Sequence, residues 1–149
     1  MKKQDAESAF RALTLIGIVS QLSEAALTRR LEDGLSAAGF RVLNHFVVRS
    51  LERQSPSSLA NAFQVTKGAM TNTLSRLEAL GYVRVESDPQ DGRGKIARLT
   101  RSGHAARSRA IAAIAPDLSH LLSKVSGPEF ASALPFLEKL KDVLDAARD

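Results

Sequence analysis

Two consecutive stretches decide the fold: SPSSLANAFQVTKGAMTNTLSRLEALG over residues 55–81 and YVRVESDPQDGRGKIARLTRSG over residues 82–103. In the first stretch, Ser55 is a favourable N-cap. Pro56 follows at the first helical position, where its missing N–H is no loss. We therefore expect a short helix that begins here and ends near Phe63.

A second helix is predicted directly after the first. Thr66 can cap it, residues 67–80 lack proline, and Gly81 suits a left-handed stop. Only about three residues separate the two helices. Two short helices joined so tightly are typical of a helix-turn-helix.

After Gly81 the period of the sequence changes from that of a helix to that of a strand. Residues 82–86 and 95–99 alternate between apolar and polar side chains, and residues 88–92 are rich in turn formers. This pattern predicts a β-hairpin with a long tip. The residues expected to pack on the helices are Val83, Val85, Ala97 and Leu99. Arg84 and Arg98 then lie on the opposite face, which predicts a basic outer face.

Two helices are expected before the motif. Residues 5–31 carry apolar side chains at helical spacing, in a stripe wider than one neighbour in a small domain covers. A partner chain is therefore expected to bury part of it. Ser36 is a plausible N-cap for a second helix that runs to about Arg49. The side chains of this helix expected to face inward are Phe40, Leu43, Phe46, Val47 and Leu51.

Two more helices are expected after the hairpin. Thr100 can cap a helix over residues 101–122, in which Pro116 predicts a kink or a break. Ser126 and Glu129 have the spacing of a capping box and open a last helix to about residue 147, which Pro135 is expected to divide. The fold class is thus mainly α with a small β-hairpin (α+β).

The positive charge of the chain is concentrated in the predicted motif. The chain has a net charge of +5, and residues 57–110 hold nine cations against four anions, which accounts for all of it. A polyanion attracts such a segment through phosphate neutralisation and counterion release. The charge alone is also compatible with a solvated basic face that has no partner.

Several other classes of protein are disfavoured. The chain has no cysteine, which excludes disulfides and thiolate metal sites. His45, His104 and His120 are too far apart in sequence to form a metal site at helical spacing, and no serine lies in a nucleophile-elbow context. We expect neither a metal, a cofactor nor an enzymatic activity. No uninterrupted run of eighteen apolar residues and no export signal is present, so we expect a cytoplasmic protein that does not span a membrane.

Helical geometry predicts which residues of the second motif helix face DNA. If Met70, Leu74, Leu77 and Leu80 are buried, a polar face remains opposite them. That face carries Lys67, Gly68, Thr71, Asn72, Ser75 and Arg76. Asn72 can pair with adenine and Thr71 can touch a base edge, whereas the cations suit phosphates. For any one of these residues, the alternative is simply the polar side of an amphipathic helix.

These motifs resemble the multiple-antibiotic-resistance-regulator (MarR) family. The resemblance rests on Leu59-Ala60, on residues 66–78 and on Gly81-Tyr82-Val83. It rests above all on the wing, where DPQDGRG over 88–94 is followed by LTRSG over 99–103. Together with the order of the flanking helices, it covers nearly the whole chain.

The resemblance implies a winged helix-turn-helix over residues 35–100 and a helical dimerisation region over residues 1–34 and 101–149, within one structural domain. It also implies that Arg93 enters the minor groove and that Asp91 holds it by a salt bridge. A narrow groove attracts a guanidinium, which agrees with this role. The complete set of expected DNA-binding residues is Ser55, Ser57, Thr66, Lys67, Gly68, Thr71, Asn72, Ser75, Arg76, Arg84, Asp91, Arg93, Lys95 and Arg98.

Members of this family are commonly repressors that small aromatic or phenolic molecules release from DNA. The resemblance thus implies a homodimer on a pseudo-palindromic operator, with a possible effector of that kind. The residues considered for an effector pocket are Arg41, Asn44, His45 and Phe46. The main alternative function is a winged helix that binds a protein partner in place of DNA.

Overall fold

A computed structural model describes residues 2–148, so that Met1 and Asp149, the ends of the predicted dimerisation region, lie outside the described residues. Within this part of the chain, the elements are α1 (Lys3–Arg30), α2 (Ala37–Val48), α3 (Pro56–Phe63), α4 (Lys67–Ala79), β1 (Val83–Ser87), β2 (Lys95–Leu99), α5 (Arg101–Leu122) and α6 (Gly127–Ala146). The predicted fold class, mainly α with one hairpin, is confirmed.

Each predicted helix start after α1 has the expected cap. The side chains of Ser36, Ser55, Thr66 and Thr100 each accept a hydrogen bond from the backbone N–H three residues ahead. The predicted capping box at the start of α6 is complete, because Ser126 and Glu129 bond each other's backbone N–H. Such caps satisfy N–H groups that have no partner inside the helix, so they fix where each helix begins.

The two internal prolines do not interrupt their helices. α5 runs through Pro116, so of the expected kink or break the break is wrong, and α6 runs through Pro135, so its expected division is wrong. A proline removes one helical hydrogen bond and crowds the preceding turn. The turns that precede both prolines contain several alanines, the best helix former, which partly offsets that cost.

The buried core lies in the central part of the chain, between Leu35 and Ala110. It joins α2, α3, α4, the hairpin and the first half of α5. Its most completely buried large side chains are Phe46, Leu43, Leu59, Leu74, Leu77 and Val42. In α2 the predicted inward side chains Phe40, Leu43 and Phe46 are buried, whereas Val47 and Leu51 are only half-buried.

The apolar face predicted for the hairpin is confirmed, because Val83, Val85, Ala97 and Leu99 all pack in or against the core. Val83 pairs with Leu99, Arg84 with Arg98, and Val85 with Ala97. On its other edge, β2 is held by Gln54, because the backbone of Ala97 exchanges two hydrogen bonds with it at 2.8 and 3.0 Å. Since Gln54 directly precedes the N-cap of α3, this bridge fixes the start of α3 beside the hairpin.

The root of the hairpin explains the LTRSG motif over residues 99–103. Thr100 Oγ1 accepts the backbone N–H of Gly103 at 3.0 Å and donates to the carbonyl of Gly81 at 2.6 Å. A Cβ at position 103 would lie 2.1 Å from the carbonyl oxygen of Tyr82, so only glycine fits there. These contacts lock α5 onto the base of the hairpin.

The flanking helices differ from this core. No residue of α1 or α6 is buried among those described. Large apolar side chains are exposed along both, as on the second half of α5, and they include Phe10, Leu22, Leu118, Phe130, Leu134 and Phe136. α1 is also long and apolar enough, by length and composition alone, to cross a membrane. It is nevertheless tied to α5 by a two-bonded ion pair between Arg30 and Asp117.

Candidate nucleic-acid interface

A cleft of about 570 Å³ lies between the start of α3, the exposed side of α4 and the hairpin, here called the wing. Of the fourteen residues expected to bind DNA, eight line it. These eight are Ser55, Ser57, Lys67, Thr71, Ser75, Asp91, Arg93 and Lys95. The structure therefore brings together residues from three separate elements that the sequence had assigned to one surface.

The exposed side of α4 has two stripes. Met70, Leu74 and Leu77 are buried against the core, as expected, whereas Leu80 is the C-cap residue and is only half-buried. The stripe nearer the wing contains Lys67, Thr71 and Ser75, which line the cleft. The remaining stripe contains Gly68, Asn72 and Arg76, which are all exposed and lie outside the cleft lining. Because Asn72 is nearly opposite the buried face, its amide points away from the protein.

The N-termini of α3 and α4 supply backbone donors. The hydroxyls of Ser55 and Thr66 accept the backbone N–H groups of Ser58 and Ala69, each at 3.1 Å. They are thus already engaged as helix caps. The other free N–H groups of each first turn remain suited to a phosphate oxygen, because helix N-termini carry partial positive charge.

The wing tip is shaped by Asp88 and Asp91. Asp88 Oδ1 accepts the backbone N–H of Gln90 at 2.9 Å, and Asp91 Oδ1 accepts that of Arg93 at 3.1 Å. Among the described residues, the two side chains of Asp91 and Arg93 form no ion pair, so the expected salt bridge is wrong for this structure. At a spacing of two residues, the Asp91 carboxylate reaches the nearer backbone N–H instead. The Arg93 side chain is exposed.

The outer face of the wing is only partly basic. Arg84 is exposed on it, but the Arg98 guanidinium donates to Glu86 at 2.9 Å, which offsets its charge. The prediction of a basic face overlooked Glu86, because alternation places that carboxylate on the same side of β1. Ile96, on the same side of β2, is buried.

Two further cations of the basic segment are engaged on α5. Arg107 donates to Asn44 at 3.0 Å, and Arg109 pairs with Glu32 at 3.0 Å. Tyr82 also donates to Glu32. The Arg109 guanidinium and the Tyr82 hydroxyl lower the pKa of Glu32, and the bond to Glu32 raises the pKa of Tyr82. This junction joins α5 to the start of β1 and to the link between α1 and α2.

Two contributors to the site were missed from the sequence. Gln54 anchors β2, and Glu78 lines the cleft and accepts the backbone N–H of Val85 at 2.7 Å. The position of Glu78 in the last turn of the expected DNA-facing helix could have indicated a structural role, because an anion there is unfavourable for phosphate binding. No comparable signal marked Gln54.

The four residues considered for an effector pocket lie in different surroundings. Phe46 is 1% exposed within the core, and Arg41 pairs with Glu24 at 2.8 Å. Asn44 accepts from Arg107, and the His45 ring packs edge-to-face on Phe63 at 5.1 Å. Burial, and then the charge of Arg49, lower the pKa of His45. Because residues 44–46 are consecutive in a helix, their side chains point in different directions.

The part of the chain that the structure describes holds no group of three or more His, Cys, Asp or Glu side chains placed to bind a metal ion. The cleft instead combines exposed cations, hydroxyls and two helix N-termini, and the exposed stripe of α4 beside it adds the amide of Asn72. These groups suit a phosphate backbone and base edges.

Comparisons with known proteins agree with this geometry. A family model described as the MarR family matches residues 33–94. The chain is 31% identical to the multiple antibiotic resistance protein MarR of Escherichia coli over 131 residues, which cover 87% of this chain and 88% of that protein. It is 32% identical over 120 residues to the HTH-type transcriptional repressor Rv2887 of Mycobacterium tuberculosis, covering 78% of this chain and 86% of that protein.

Among solved structures, a mutant MarR from Escherichia coli complexed with operator DNA is similar with a TM-score of 0.76. The sequence identity is 29%, and the match covers 89% of this chain and 95% of that one. The fold, the cleft and the relatives point the same way. The chain therefore belongs to the MarR family and is a DNA-binding transcriptional regulator with a winged helix.

Proposed function

We propose that this protein is a cytoplasmic repressor that binds a pseudo-palindromic operator as a homodimer. In each protomer, α4 enters the major groove and the wing reaches the adjacent minor groove. The observation that carries the proposal is the cleft, which places Lys67 and Thr71 of α4 opposite Arg93 and Lys95 of the wing. Contacts from both elements can then be made to one duplex.

The readout of bases is assigned to Asn72 and Thr71. Both are exposed, and Asn72 lies at the centre of the free face of α4. An asparagine can pair with adenine through two hydrogen bonds, and a threonine can touch a base edge or the thymine methyl group. Lys67, Arg76 and Arg93 contribute attraction that does not depend on sequence.

The homodimer is supported by the apolar surface of the flanking helices. Phe10 on α1 is 76% exposed, and the apolar side chains of α6 are exposed along its length. A monomeric soluble protein rarely exposes so much contiguous apolar surface. A second copy of the chain would cover it, and a twofold axis would then place two α4 helices about 10 base pairs apart. This arrangement also accounts for the apolar character of α1 without a membrane.

Release by a small aromatic or phenolic molecule is the finer part of the proposal. A cavity of about 440 Å³ lies between α1 and α5, and Arg30 and Asp117 supply polar groups in its lining. An effector there lowers DNA affinity only if it binds the DNA-free spacing of the dimer more tightly than the DNA-bound one. With 4-hydroxybenzoate as a probe, weaker operator binding of the wild-type protein would support release by an effector. If 4-hydroxybenzoate does not weaken operator binding of the Arg30→Ala variant, the effector site is this cavity.

A salt titration tests the DNA-binding function. Binding of the protein to a random duplex is measured between 50 and 200 mM salt, and we expect it to weaken steeply because phosphate contacts release counterions. If no binding occurs at low salt, or if salt has no effect on it, the winged helix serves a protein partner instead.

A further inference from the structure

Glu78 lies in the proposed DNA cleft, where a carboxylate repels phosphate. Among the described residues, the lining has as many anions as cations, so it carries no net charge. The cations are Lys67, Arg93 and Lys95, and the anions are Glu78, Asp88 and Asp91. Because these acidic groups oppose the binding of a polyanion, we expect their other contacts to have a structural role.

The hydrogen bonds of the three carboxylates indicate a structural role in the wing. Each of the three carboxylates accepts a backbone N–H of the wing. Asp88 and Asp91 do so within the tip itself, for residues two positions ahead. Glu78 belongs to α4, and its Oε2 accepts the N–H of Val85 on β1 at 2.7 Å. Of the three, it is the one that connects the wing to the helix expected to read bases.

The Val85 N–H has no acceptor on the facing strand. Its partner in the register is Ala97, whose N–H and carbonyl both bond to Gln54 on the far edge of β2. Alternation along an antiparallel pair then directs the Val85 N–H away from β2, toward α4. Without an acceptor on α4, no hydrogen bond would hold this part of β1 beside the helix. Glu78 provides that acceptor.

We propose that Glu78 is a positioning residue that sets the placement of the wing relative to α4. It thereby couples base contacts in the major groove to the Arg93 contact in the minor groove, at the expense of some attraction for phosphate. The inference rests on the proposed DNA-binding function. The role requires an acceptor oxygen at this position, because it is the hydrogen bond to the Val85 N–H that joins β1 to α4.

Two substitutions separate the acceptor from the charge. Glu78→Gln keeps a carbonyl oxygen that can accept the Val85 N–H and removes the charge, whereas Glu78→Ala removes both. Both variants should bind a random duplex more tightly than the wild-type protein, by about two- to fivefold, because one repulsion is lost. Glu138→Gln, an exposed carboxylate on α6, is the control for the same charge change outside the cleft.

The decisive readout is the ratio of affinities for a duplex selected from a random pool and for the unselected pool. In Glu78→Ala this ratio should fall about fivefold, the effect of one hydrogen bond, and in Glu78→Gln it should stay within about twofold of the wild-type value. If Glu78→Ala keeps the wild-type ratio, or if Glu78→Gln loses as much as Glu78→Ala, the proposal is wrong.

A measurement on the wild-type protein without DNA covers the case in which Glu78→Ala does not fold. The Val85 amide should exchange with solvent slowly, like the paired amides of the hairpin. Exchange at the rate of a free amide would overturn the positioning role. Failure of the DNA-binding function itself is distinguishable, because the wild-type protein would then show no salt-dependent binding to a duplex.

Discussion

The DNA-reading half of the chain and its flanking helices are stabilised in different ways. α2, α3, α4 and the wing share a buried core, and every helix in that half starts at a side-chain cap. α1 and α6 bury no residue among those described and expose large apolar side chains. The reading half thus has a buried core within one chain, whereas the exposed apolar surface of the flanking helices is the surface that the proposed homodimer would cover.

The largest expected effect comes from a pair of leucine truncations, one in each region. Leu43→Ala in the core should cost about 3 kcal/mol of unfolding free energy at any protein concentration, because Leu43 is 0% exposed. Leu22 on α1 is 66% exposed in the single chain, where its truncation should cost less than about 0.5 kcal/mol. In the dimer its cost should be larger.

Urea unfolding at several protein concentrations measures both effects. The stability of the wild-type protein should rise with concentration if a second copy covers α1. If the Leu22→Ala variant has wild-type stability at every concentration, a second copy does not bury Leu22 and the proposed difference between the two regions is wrong.

The next effect concerns the root of the wing. Gly103→Ala should lower the free energy of unfolding by about 2 kcal/mol or more, because its Cβ would meet the Tyr82 carbonyl at 2.1 Å. Gly92→Ala is the matched control, since nothing lies within 4 Å of its Cβ. Denaturant unfolding compares the two variants. Equal stability would show that α5 is not locked to the wing root.

Two substitutions at the DNA surface should have separable effects. Arg93→Ala should weaken binding to selected and random duplexes alike, by about 1 kcal/mol, and reduce the salt dependence by about one phosphate contact. Arg11→Ala, on exposed α1, is the control for the lost charge.

Asn72→Ala should chiefly relax sequence preference. If the ratio of affinities for selected and random duplexes is unchanged in Asn72→Ala, Asn72 does not read bases.

The smallest expected effect is the pH dependence of the junction formed by Glu32, Arg109 and Tyr82. The folded-state pKa of Glu32 is lowered by these two partners, so its contribution is present above the ordinary pKa of about 4.5 and is lost as the pH falls through the lowered value. Glu32→Gln should therefore reduce the loss of stability on acidification below pH 4.5. Unfolding curves at pH 3 and pH 7 measure it, and equal pH dependence in both proteins would contradict this account.

Local rules predicted much of this structure. The caps at Ser36, Ser55, Thr66 and Thr100 were found because a cap depends on a few neighbouring residues. The two faces of the hairpin followed from the alternation of side chains. The division expected at Pro135 is wrong because the cost of a proline inside a helix can be offset by helix propensity and packing.

The site was harder to predict where long-range contacts determine it. The cleft joins three elements whose residues were identified separately, those of α4 from helical periodicity and Asp91 and Arg93 of the wing from the family resemblance. The roles of Gln54 and Glu78 depend on which backbone groups of the wing lack a partner, and the sequence does not show this. The pairing of Arg98 with Glu86 likewise needed the observed geometry.

Sedimentation equilibrium of the wild-type protein at micromolar concentration tests the central contrast most directly. The account predicts a mass of about 32 kDa, twice the 16.0 kDa of the chain, because a second copy covers the apolar faces of α1 and α6. A mass near 16.0 kDa at that concentration would contradict it.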